Sequence, residues 1–507
     1  RNRRTRNLSV GILGGQAVNE NVASFQTKAL INGAWLPAND GTTFDVTNPL
    51  DDSVIAQVAN CGREETEQAI AAASAALDAW AKLPAKQKAI LMRKWFDLVT
   101  ANTEDLARLL TVEQGKPLAE AKGEIAYGAS YIEWFAEETK RIYGDVIPSP
   151  GPDKRIITIK QPVGVVACIT PWNFPILMAC DKLMPAVVTG NTIVLKPSPH
   201  TPLTTVMMGE LAATAFPPGV INILSGGNEL GRWIVDHPDI VHITFTGSAA
   251  TGKNIMKSAA GTLKKLTLEL GGNDAAIVMP ETNLDEVAPQ IFGSAMFNSG
   301  QTCVAIKRVF VHESQYEDMV EKIGKVASEA TVGDGLEDGI AYGPMNNEMQ
   351  LKRIEMLVED AKKSGGRIVA GGGKATVPGK EGGYFFKPTI VADLTDEDRL
   401  VKEEQFGLAL PILKYKDVDE ALERANNSEY GLGGSVWGPD AEKAAEVAVQ
   451  LESGMSWVNQ HLVRRDEVAP FGGVKASGLG SEGGGAIGLK EFVDVKSLYV
   501  KKLKSGL

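Results

Sequence analysis

The feature that most constrains the fold is a series of short apolar runs separated by helix-length segments. These runs are Val163–Ile169, Thr192–Lys196, Val220–Leu224, His242–Thr246, Leu266–Leu270 and Ala275–Met279. Their alternation with longer segments predicts a parallel sheet made of βαβ units. Residues 62–140, which come before the runs, carry apolar side chains at helical spacing and predict packed helices.

A second alternating block lies between about Ala305 and Trp457. Its strand candidates are Lys307–Val311, Thr389–Val391 and Ser435–Trp437, and Gln350–Ser364 has the pattern of an amphipathic helix. The 507 residues of the chain exceed the roughly 100–200 residues of one ordinary domain, so two or three packed units are expected. The sequence therefore predicts an α/β protein with at least two such units.

Composition and charge disfavour several classes of protein. The net charge of -11 argues against a nucleic-acid partner. No apolar run approaches the roughly 18 residues that span a bilayer, so no membrane partner is expected. Four cysteines without a C-x-x-C pair, and five histidines without H-x-H or H-x-x-x-H spacing, predict neither a disulfide framework nor a metal site.

The arginines at the start of the chain bear only on its compartment. Arg1, Arg3, Arg4 and Arg6 precede the first acidic residue, Glu20. They fit a solvated flexible tail, which goes with a cytoplasmic protein, or the remnant of an Arg-rich presequence for the mitochondrial matrix.

Five short segments combine residue types that folding alone does not require. They are P-W-N-F-P at 171–175, F-T-G-S at 245–248, L-E-L-G-G-N at 268–273, N-S-G-Q-T-C at 298–303 and E-E-Q-F-G at 403–407. Cys303 ends a polar run that contains Gly300, so its thiolate is a candidate nucleophile for a carbonyl carbon. Glu269 interrupts an apolar run, which indicates either a salt bridge or a raised pKa suited to general-base work.

In this order and spacing the five segments resemble the aldehyde dehydrogenase family, from about residue 25 to 500. The resemblance implies two parallel-sheet α/β domains, one of them Rossmann-like, and a small β oligomerisation element. The implied bounds are 1–24 for a flexible arm, 25–141 and 160–271 for the NAD(P)-binding domain, 272–471 for the catalytic domain, and 142–159 with 487–507 for the oligomerisation element. A homodimer or homotetramer follows from the same resemblance.

The resemblance also assigns a reaction to the candidate residues. Cys303 would form a thiohemiacetal and then a thioester with a small aldehyde, and Glu269 would activate the water that hydrolyses the thioester. Asn173 and the Cys303 N–H would form the oxyanion hole. The cofactor would be NAD, with NADP as the alternative because Pro199 offers no carboxylate against a 2′-phosphate. Its contacts would be Trp172, Lys196, Gly247, Ser248, Glu404 and Phe406.

The sequence supports two interpretations of the substrate. Residues 111–144 and 468–480 look most like succinate-semialdehyde dehydrogenases. However, the arginine that those enzymes place six residues after P-W-N-F-P is Asp181 here. The apolar tunnel residues implied by the resemblance are Trp134, Phe297 and Phe471. A neutral aliphatic or aromatic aldehyde is therefore predicted, with succinate semialdehyde as the alternative if Arg464 and Arg465 turn inward.

Other functions remain as alternatives. Residues 247–254 read G-S-A-A-T-G-K-N, close to a P-loop, but Asn254 lacks the hydroxyl that holds magnesium. A structural homologue without turnover would be expected to show damage at Cys303 or Glu269, and both are intact. The acylating branch of the family, which passes the acyl group to coenzyme A, commonly lacks the glutamate.

Two residues depart from the family pattern. Leu408 stands where a proline is usual, which predicts weaker cofactor binding, and Ser481 stands where an arginine is usual. The second change puts family ion pairs between domains or subunits in doubt.

Overall fold

The computed structural model describes residues 25–462 and 467–501. An eight-stranded sheet, in the order β2-β1-β9-β8-β7-β10-β11-β22, forms the first half of the structure. Strands β7, β8, β9, β10 and β11 run parallel, whereas β1, β2 and β22 pair antiparallel at the edges. The strands are β1 (Ala29–Ile31), β2 (Ala34–Leu36), β7 (Val165–Ile169), β8 (Thr192–Lys196), β9 (Ile221–Ile223), β10 (Ile240–Thr246), β11 (Lys265–Glu269) and β22 (Gly478–Leu479).

Helices surround this sheet. Every residue of β7 and β8 is buried, as expected for central strands covered on both faces. Ser248 caps α8 by accepting the Thr251 N–H at 3.3 Å. The helices are α1 (Arg63–Lys82), α2 (Ala85–Ala101), α3 (Thr103–Gln114), α4 (Leu118–Glu138), α5 (Pro175–Val188), α6 (Pro202–Ala213), α7 (Asn228–Asp236) and α8 (Ala249–Ala260), with a 3₁₀ turn at Thr139–Arg141.

A second sheet of seven strands has the order β14-β15-β16-β13-β12-β18-β19 and is parallel except for the edge strand β14. Its strands are β12 (Asp274–Val278), β13 (Ile306–His312), β14 (Arg367–Ala370), β15 (Thr389–Ala392), β16 (Ala409–Tyr415), β18 (Gly434–Trp437) and β19 (Trp457–Val458). The accompanying helices are α9 (Leu284–Met296), α10 (Tyr316–Glu329), α11 (Glu348–Lys363), α12 (Arg399–Lys402), α13 (Val418–Asn426) and α14 (Ala441–Ala448), with a 3₁₀ turn at Phe297–Gly300.

Smaller β elements complete the fold. A three-stranded antiparallel sheet consists of β5 (Val146–Ile147), β6 (Lys154–Pro162) and β24 (Val493–Lys501). The helix α15 (Gly485–Glu491) precedes β24. Two-stranded pairs join β3 (Thr43–Thr47) to β4 (Val54–Ala59), β17 (Tyr430–Gly431) to β21 (Val474–Lys475), and β20 (Pro470–Phe471) to β23 (Glu482–Gly483).

The predicted α/β architecture is confirmed. The run Ala275–Met279 contains most of β12, which lies in the second sheet and within the bounds 272–471 predicted for the catalytic domain. One correction concerns the first sheet, which is mixed and not wholly parallel. Its antiparallel edge strands are only two or three residues long, too short to be recognised as apolar runs in the sequence.

Candidate active site

The carboxyl ends of the parallel strands bring several predicted residues to one edge of the first sheet. Lys196, which ends β8, pairs in register with Ile169 of β7. Ile169 pairs in turn with Phe245 of β10, and the next residue, Thr246, pairs with Glu269 of β11. Ligands of open α/β sheets bind in the crevice outside this edge. The sheet register therefore sets Lys196, Thr246 and Glu269 along the rim of one crevice.

A cavity of about 1110 Å³ opens between this edge and the second sheet. It is lined by ten of the residues that the sequence singles out: Trp172, Asn173, Gly247, Ser248, Glu269, Phe297, Cys303, Glu404, Phe406 and Phe471. Lys196 and Trp134 are not on its wall. Arg464 and Arg465 lie outside the described residues. One cavity thus collects the proposed nucleophile, base, oxyanion donor and most of the cofactor contacts.

The turn before Cys303 has an unusual backbone. Asn298, Ser299 and Gly300 have φ angles of 53°, 55° and 72° in succession, in the left-handed region that non-glycine residues rarely adopt. The L-E-L-G-G-N segment packs closely against this turn, since a Cβ at Gly272 would lie 2.5 Å from the Cys303 carbonyl oxygen. Only glycine allows that approach.

Exposure distinguishes Cys303 from the other three cysteines. Cys303 is partly exposed in the cavity, whereas Cys61, Cys168 and Cys180 are buried. Burial raises the pKa of Cys61 to about 12 and raises those of Cys168 and Cys180 well above the ordinary value. A buried thiol with a raised pKa stays protonated and is a poor nucleophile. Of the four cysteines, Cys303 is therefore the candidate nucleophile.

Asn173 is held by a buried polar network. Its Nδ2 donates to the Gln301 carbonyl at 2.9 Å, two residues before the nucleophile. Its own carbonyl accepts from Lys116 Nζ at 2.8 Å and from Asn298 Nδ2 at 3.0 Å. Because a side-chain amide has two N–H donors, the bond to Gln301 leaves one for a substrate oxygen. The arrangement suits an oxyanion donor fixed before substrate binds.

A buried ion pair stands behind this network. Lys116 Nζ lies 2.6 Å from Glu124 Oε2, and both side chains are at most 1% exposed. Glu124 Oε1 also accepts the N–H groups of Ile176 and Leu177 at the start of α5. Sequence reasoning missed both residues. Lys116 lies within residues 111–144, but nothing in the sequence alone shows that its charge is buried.

Glu269 is 1% exposed and ends β11 on the cavity wall. A second buried ion pair lies on the same side of the sheet, where Lys182 Nζ contacts Glu482 Oε1. Glu482 also accepts from the hydroxyl of Thr246, the residue that pairs with Glu269 across the sheet. Glu482 therefore has a buried ion-pair partner, Lys182, within the chain, although the residue before it is Ser481 and not the arginine that is usual in the family.

On the cofactor side, two aromatic rings and a carboxylate line the cavity wall. The rings of Trp172 and Phe406 meet edge to face at 5.4 Å. Glu404 Oε1 accepts the Gly272 N–H at 2.9 Å, and burial raises the pKa of Glu404. Gly247 and Ser248 line the cavity at the N-terminus of α8, where backbone amides and the helix dipole favour a phosphate. These residues fit the pyrophosphate and ribose of a dinucleotide.

Lys196 lies beyond this wall, at the end of β8. It is 5% exposed, and its methylene groups pass 3.6 Å from the position of a Cβ at Gly231. Burial lowers the pKa of Lys196 to about 8. Its place on the strand edge is consistent with the predicted contact to an adenosine ribose.

The substrate end of the cavity is mainly apolar. The rings of Phe174 and Phe297 stack at 6.0 Å, and Tyr127, Leu177 and Met178 line the wall nearby in helices α4 and α5. The wall at this end also includes Glu120 and Glu124 of α4, whose carboxylates have partners within the protein: Glu124 pairs with Lys116, and Glu120 accepts the Asn298 N–H at 3.1 Å. Among the lining residues that the structure describes, the one cation is Arg353. It lies on the cofactor side, where its guanidinium donates to the backbone carbonyl of Glu404 at 2.8 Å.

Two residues that the sequence places at this end lie elsewhere in the structure. Trp134 is not among the lining residues; it is partly buried, packs against the helical core and meets Phe135 edge to face at 4.8 Å. Asp181 does not face the substrate either. It is 1% exposed, and its carboxylate lies against Gly483 and Tyr131 behind the wall. Leu177, one helical turn earlier in α5, faces the cavity instead.

The fold and this site together are typical of a dinucleotide-binding α/β oxidoreductase. The family model for the aldehyde dehydrogenase family matches residues 35–498. The chain therefore belongs to the aldehyde dehydrogenase family, whose members are oxidoreductases acting on aldehydes. Membership leaves no support for the P-loop alternative.

Relatives and solved structures agree with this assignment. The chain is 44% identical over 478 residues to the succinate-semialdehyde dehydrogenase [NADP(+)] of Escherichia coli K12, covering 94% of this chain and 98% of that one. It is 44% identical over 476 residues to a glutarate-semialdehyde dehydrogenase of Pseudomonas aeruginosa, covering 94% and 97%. The NAD+ complex of a Bacillus cereus aldehyde dehydrogenase superposes with a TM-score of 0.91 at 39% identity, covering 94% and 96%. The relatives' names fit the succinate-semialdehyde alternative better than the prediction of a neutral aldehyde.

Proposed function

We propose that the protein oxidises an aldehyde to a carboxylic acid with NAD(P)+, through a thioester on Cys303. The observation that carries this proposal is the shared cavity of Cys303, Glu269 and Asn173, with Glu404 and Ser248 on the same wall. The cavity is large enough for both a nicotinamide and a small aldehyde, because pockets for drug-sized ligands measure roughly 300–1,000 Å³.

The residues act in a definite order. The Cys303 thiolate attacks the carbonyl carbon, a C–S bond forms, and the carbonyl oxygen becomes an oxyanion that accepts from Asn173 Nδ2 and the Cys303 N–H. When bound, NAD(P)+ accepts the hydride that leaves this carbon. Glu269 then takes a proton from water, the water oxygen adds to the thioester carbon, and the C–S bond breaks to return the thiolate.

For the cofactor we propose NAD, with NADP also possible. Ser248 and Gly247 would hold the pyrophosphate, Glu404 the nicotinamide ribose and Lys196 the adenosine ribose. Pro199, three residues after Lys196, presents no carboxylate to repel a 2′-phosphate. The relatives support both cofactors, because one is named for NADP+ and another was solved with NAD+.

For the substrate we propose a neutral aliphatic or aromatic aldehyde. The described substrate end carries aromatic and aliphatic side chains and no cation, which favours a ligand without negative charge. Asp181 lies behind the wall and is not among the lining residues. The second candidate is a semialdehyde with a distal carboxylate, which the names of the relatives favour. It requires Arg464 or Arg465, just after the lining residue Leu462, to reach the cavity.

A matched series of aldehydes separates the two candidates. We expect pentanal and benzaldehyde to give higher kcat/KM than succinate or glutarate semialdehyde, measured by reduced-cofactor absorbance with each cofactor. The variants Arg464→Ala and Arg465→Ala should then change little. A tenfold preference for the semialdehydes that disappears in either variant would establish the second candidate. The absence of oxidation with every aldehyde would reject the proposed function itself.

For the assembly we propose a homodimer or homotetramer, with 142–159 and 487–507 as the oligomerisation element. The three-stranded sheet presents exposed apolar side chains, including Val146, Val495 and Tyr499. The division into a cofactor domain (25–141 and 160–271) and a catalytic domain (272–471) belongs to the same proposal.

No helix in the described part of the chain is long and apolar enough to cross a membrane. We propose the cytoplasm as the compartment, with the mitochondrial matrix as the alternative.

A further inference from the structure

Lys307 is buried directly behind the nucleophile. Its side chain is 3% exposed, and it does not line the cavity. Its ammonium donates to the carbonyls of Thr302 and Cys303, each at 2.7 Å, and to that of Ala305 at 3.4 Å. The backbone on both sides of the nucleophile is therefore held from behind by one charged side chain.

The same ammonium faces the carboxylate on the cofactor side. Lys307 Nζ lies 3.8 Å from Glu404 Oε1, the oxygen that accepts the Gly272 N–H. The other oxygen, Oε2, would lie 2.5 Å from a Cβ at Gly271, so the carboxylate is closely enclosed. Burial raises the pKa of Glu404, and the charge of Lys307 opposes that rise. Lys307 thus favours the ionised form of Glu404.

Other titratable and charged groups complete the surroundings of Lys307. Asp274 accepts the Gly433 N–H at 3.1 Å, and burial raises its pKa to about 7 against the charge of Lys307. His461 donates through Nε2 to the Val304 carbonyl at 2.7 Å and lies 3.7 Å from Asp274. Burial lowers the pKa of His461 to about 4, so it is neutral near pH 7. Arg308 donates to the Asn273 carbonyl at 2.9 Å and also acts on Asp274.

We propose that Lys307 is a positioning residue that couples the Cys303 turn to Glu404. One buried ammonium fixes the carbonyls beside the nucleophile and keeps the cofactor-side carboxylate charged, so the two sites are set together. The inference rests on the proposed function, in which Cys303 is the nucleophile and Glu404 a cofactor ligand. Replacing Lys307 by an apolar side chain would leave two buried carbonyls without this donor, and Arg353 would be the positive charge that still lowers the pKa of Glu404.

The test uses Lys307→Met, with Lys88→Met as its control. Lys88 is also a buried lysine that donates to a carbonyl, that of Ala81 at 3.3 Å, but it lies away from the cavity. Two measurements need no aldehyde: the Kd of reduced cofactor, by fluorescence from pH 6 to 9, and the rate at which iodoacetamide alkylates Cys303. We expect Lys307→Met to weaken cofactor binding and slow alkylation by about tenfold each, because Glu404 loses the charge of Lys307 and the Cys303 turn loses its buried donor.

The pH dependence, and a repeat of the substitution in a Glu404→Gln variant, test whether Lys307 acts on cofactor binding through Glu404. Without Lys307, Glu404 should take up its proton at higher pH, so the loss of cofactor affinity should be greatest at the acidic end of the range. In a Glu404→Gln background, Lys307→Met should no longer change cofactor affinity but should still slow alkylation. Lys88→Met should keep both quantities within about twofold of wild type.

Several results would overturn the proposal. These are wild-type cofactor binding and alkylation in Lys307→Met, equal losses in Lys88→Met, or a loss of cofactor affinity from Lys307→Met that is as large in the Glu404→Gln background as in the wild type. If Lys307→Met does not fold, Lys307→Gln replaces it with the same expected pH dependence, and failure of both to fold would reduce Lys307 to a stability role. If no aldehyde is oxidised but both measurements come out as expected, the proposed function fails while the coupling stands.

Discussion

On the cofactor side of the cavity, several candidate residues stand at or just after the ends of neighbouring parallel strands, whereas the substrate side combines residues of helices, a turn and a short strand. Lys196, Thr246 and Glu269 end β8, β10 and β11, whose pairing fixes their spacing. The substrate wall instead joins Tyr127 of α4, Leu177 of α5, the turn at Phe297 and the strand residue Phe471. Cys303 lies where the two sides meet.

This difference indicates which properties can be altered separately. Strand register is set by many backbone hydrogen bonds, so one side-chain change on the cofactor side should leave the geometry of its neighbours intact. The substrate wall depends on packing between distant segments, so its shape can vary while the chemistry stays. Changes at Cys303, Glu269, Asn173 and Lys196 test how cleanly the two sides separate.

The largest expected effect is that of Cys303→Ala. Aldehyde oxidation should fall by at least about a thousandfold, because no covalent adduct can form. The Kd of reduced cofactor should stay within about threefold, since the cofactor side is built from other elements. Cys61→Ala, which removes a buried thiol elsewhere, should retain turnover. Retention of a tenth of wild-type turnover by Cys303→Ala would remove the assignment of the nucleophile.

Glu269→Gln should separate the two halves of the reaction. Hydride transfer needs the thiolate, whereas hydrolysis of the thioester needs a base, so steady-state turnover should fall by about 10²–10⁴. A first turnover of about one reduced cofactor per active site should remain in a rapid-mixing experiment. The mass of the stalled protein should show the acyl group on Cys303. A variant that gives neither burst nor turnover would contradict the distinct role of the base.

Asn173→Ala should have a somewhat smaller effect. Loss of one oxyanion donor should lower kcat by about 10²–10³, and cofactor binding should be unchanged. Because Asn173 also holds the Gln301 carbonyl, the rate of Cys303 alkylation without aldehyde serves as a control on the turn. A fall in alkylation as large as the fall in kcat would show that Asn173 acts on the turn and not on the oxyanion.

The strand-end residues were accessible to sequence reasoning for a physical reason. An apolar run that stops at a polar residue marks both a buried strand and the edge at which ligands bind, so the place of Lys196 at the sheet edge could be predicted, whereas the roles of Lys196 and Glu269 came from the resemblance. The run Thr192–Lys196 coincides with β8. The cysteine and asparagine needed the resemblance as well, because their turns carry no periodic pattern.

The substrate wall could not be predicted in the same way. Trp134 and Asp181 lie on helices, and a rotation of the helix by one residue, about 100°, decides whether a side chain faces the cavity or the core. Lys307 escaped notice because it reads as part of a strand, and nothing local shows that its ammonium turns back to the Cys303 carbonyl. Such contacts follow from how two sheets approach each other, which no short segment encodes.

The smallest expected effect concerns Lys196 and the choice between NAD and NADP. Burial lowers the pKa of Lys196 to about 8, so its side chain is an ammonium below that pH and a neutral amine above it. A nearby 2′-phosphate would favour the ammonium, whereas a ribose hydroxyl can accept from the ammonium or donate to the amine. Between pH 7 and 9 the affinity for NADP should therefore fall by up to about tenfold relative to NAD.

Calorimetry in buffers of different ionisation enthalpy gives an independent measure of the same effect. Above pH 8, binding of NADP should draw a proton onto Lys196, and binding of NAD should draw less. Lys196→Met should abolish both the proton uptake and the difference in pH dependence. Lys253→Met, a change at an exposed lysine of α8, should leave them in place. Equal pH dependence for the two cofactors in the wild type would show that Lys196 does not meet the phosphate, and the cofactor side would then discriminate through other residues.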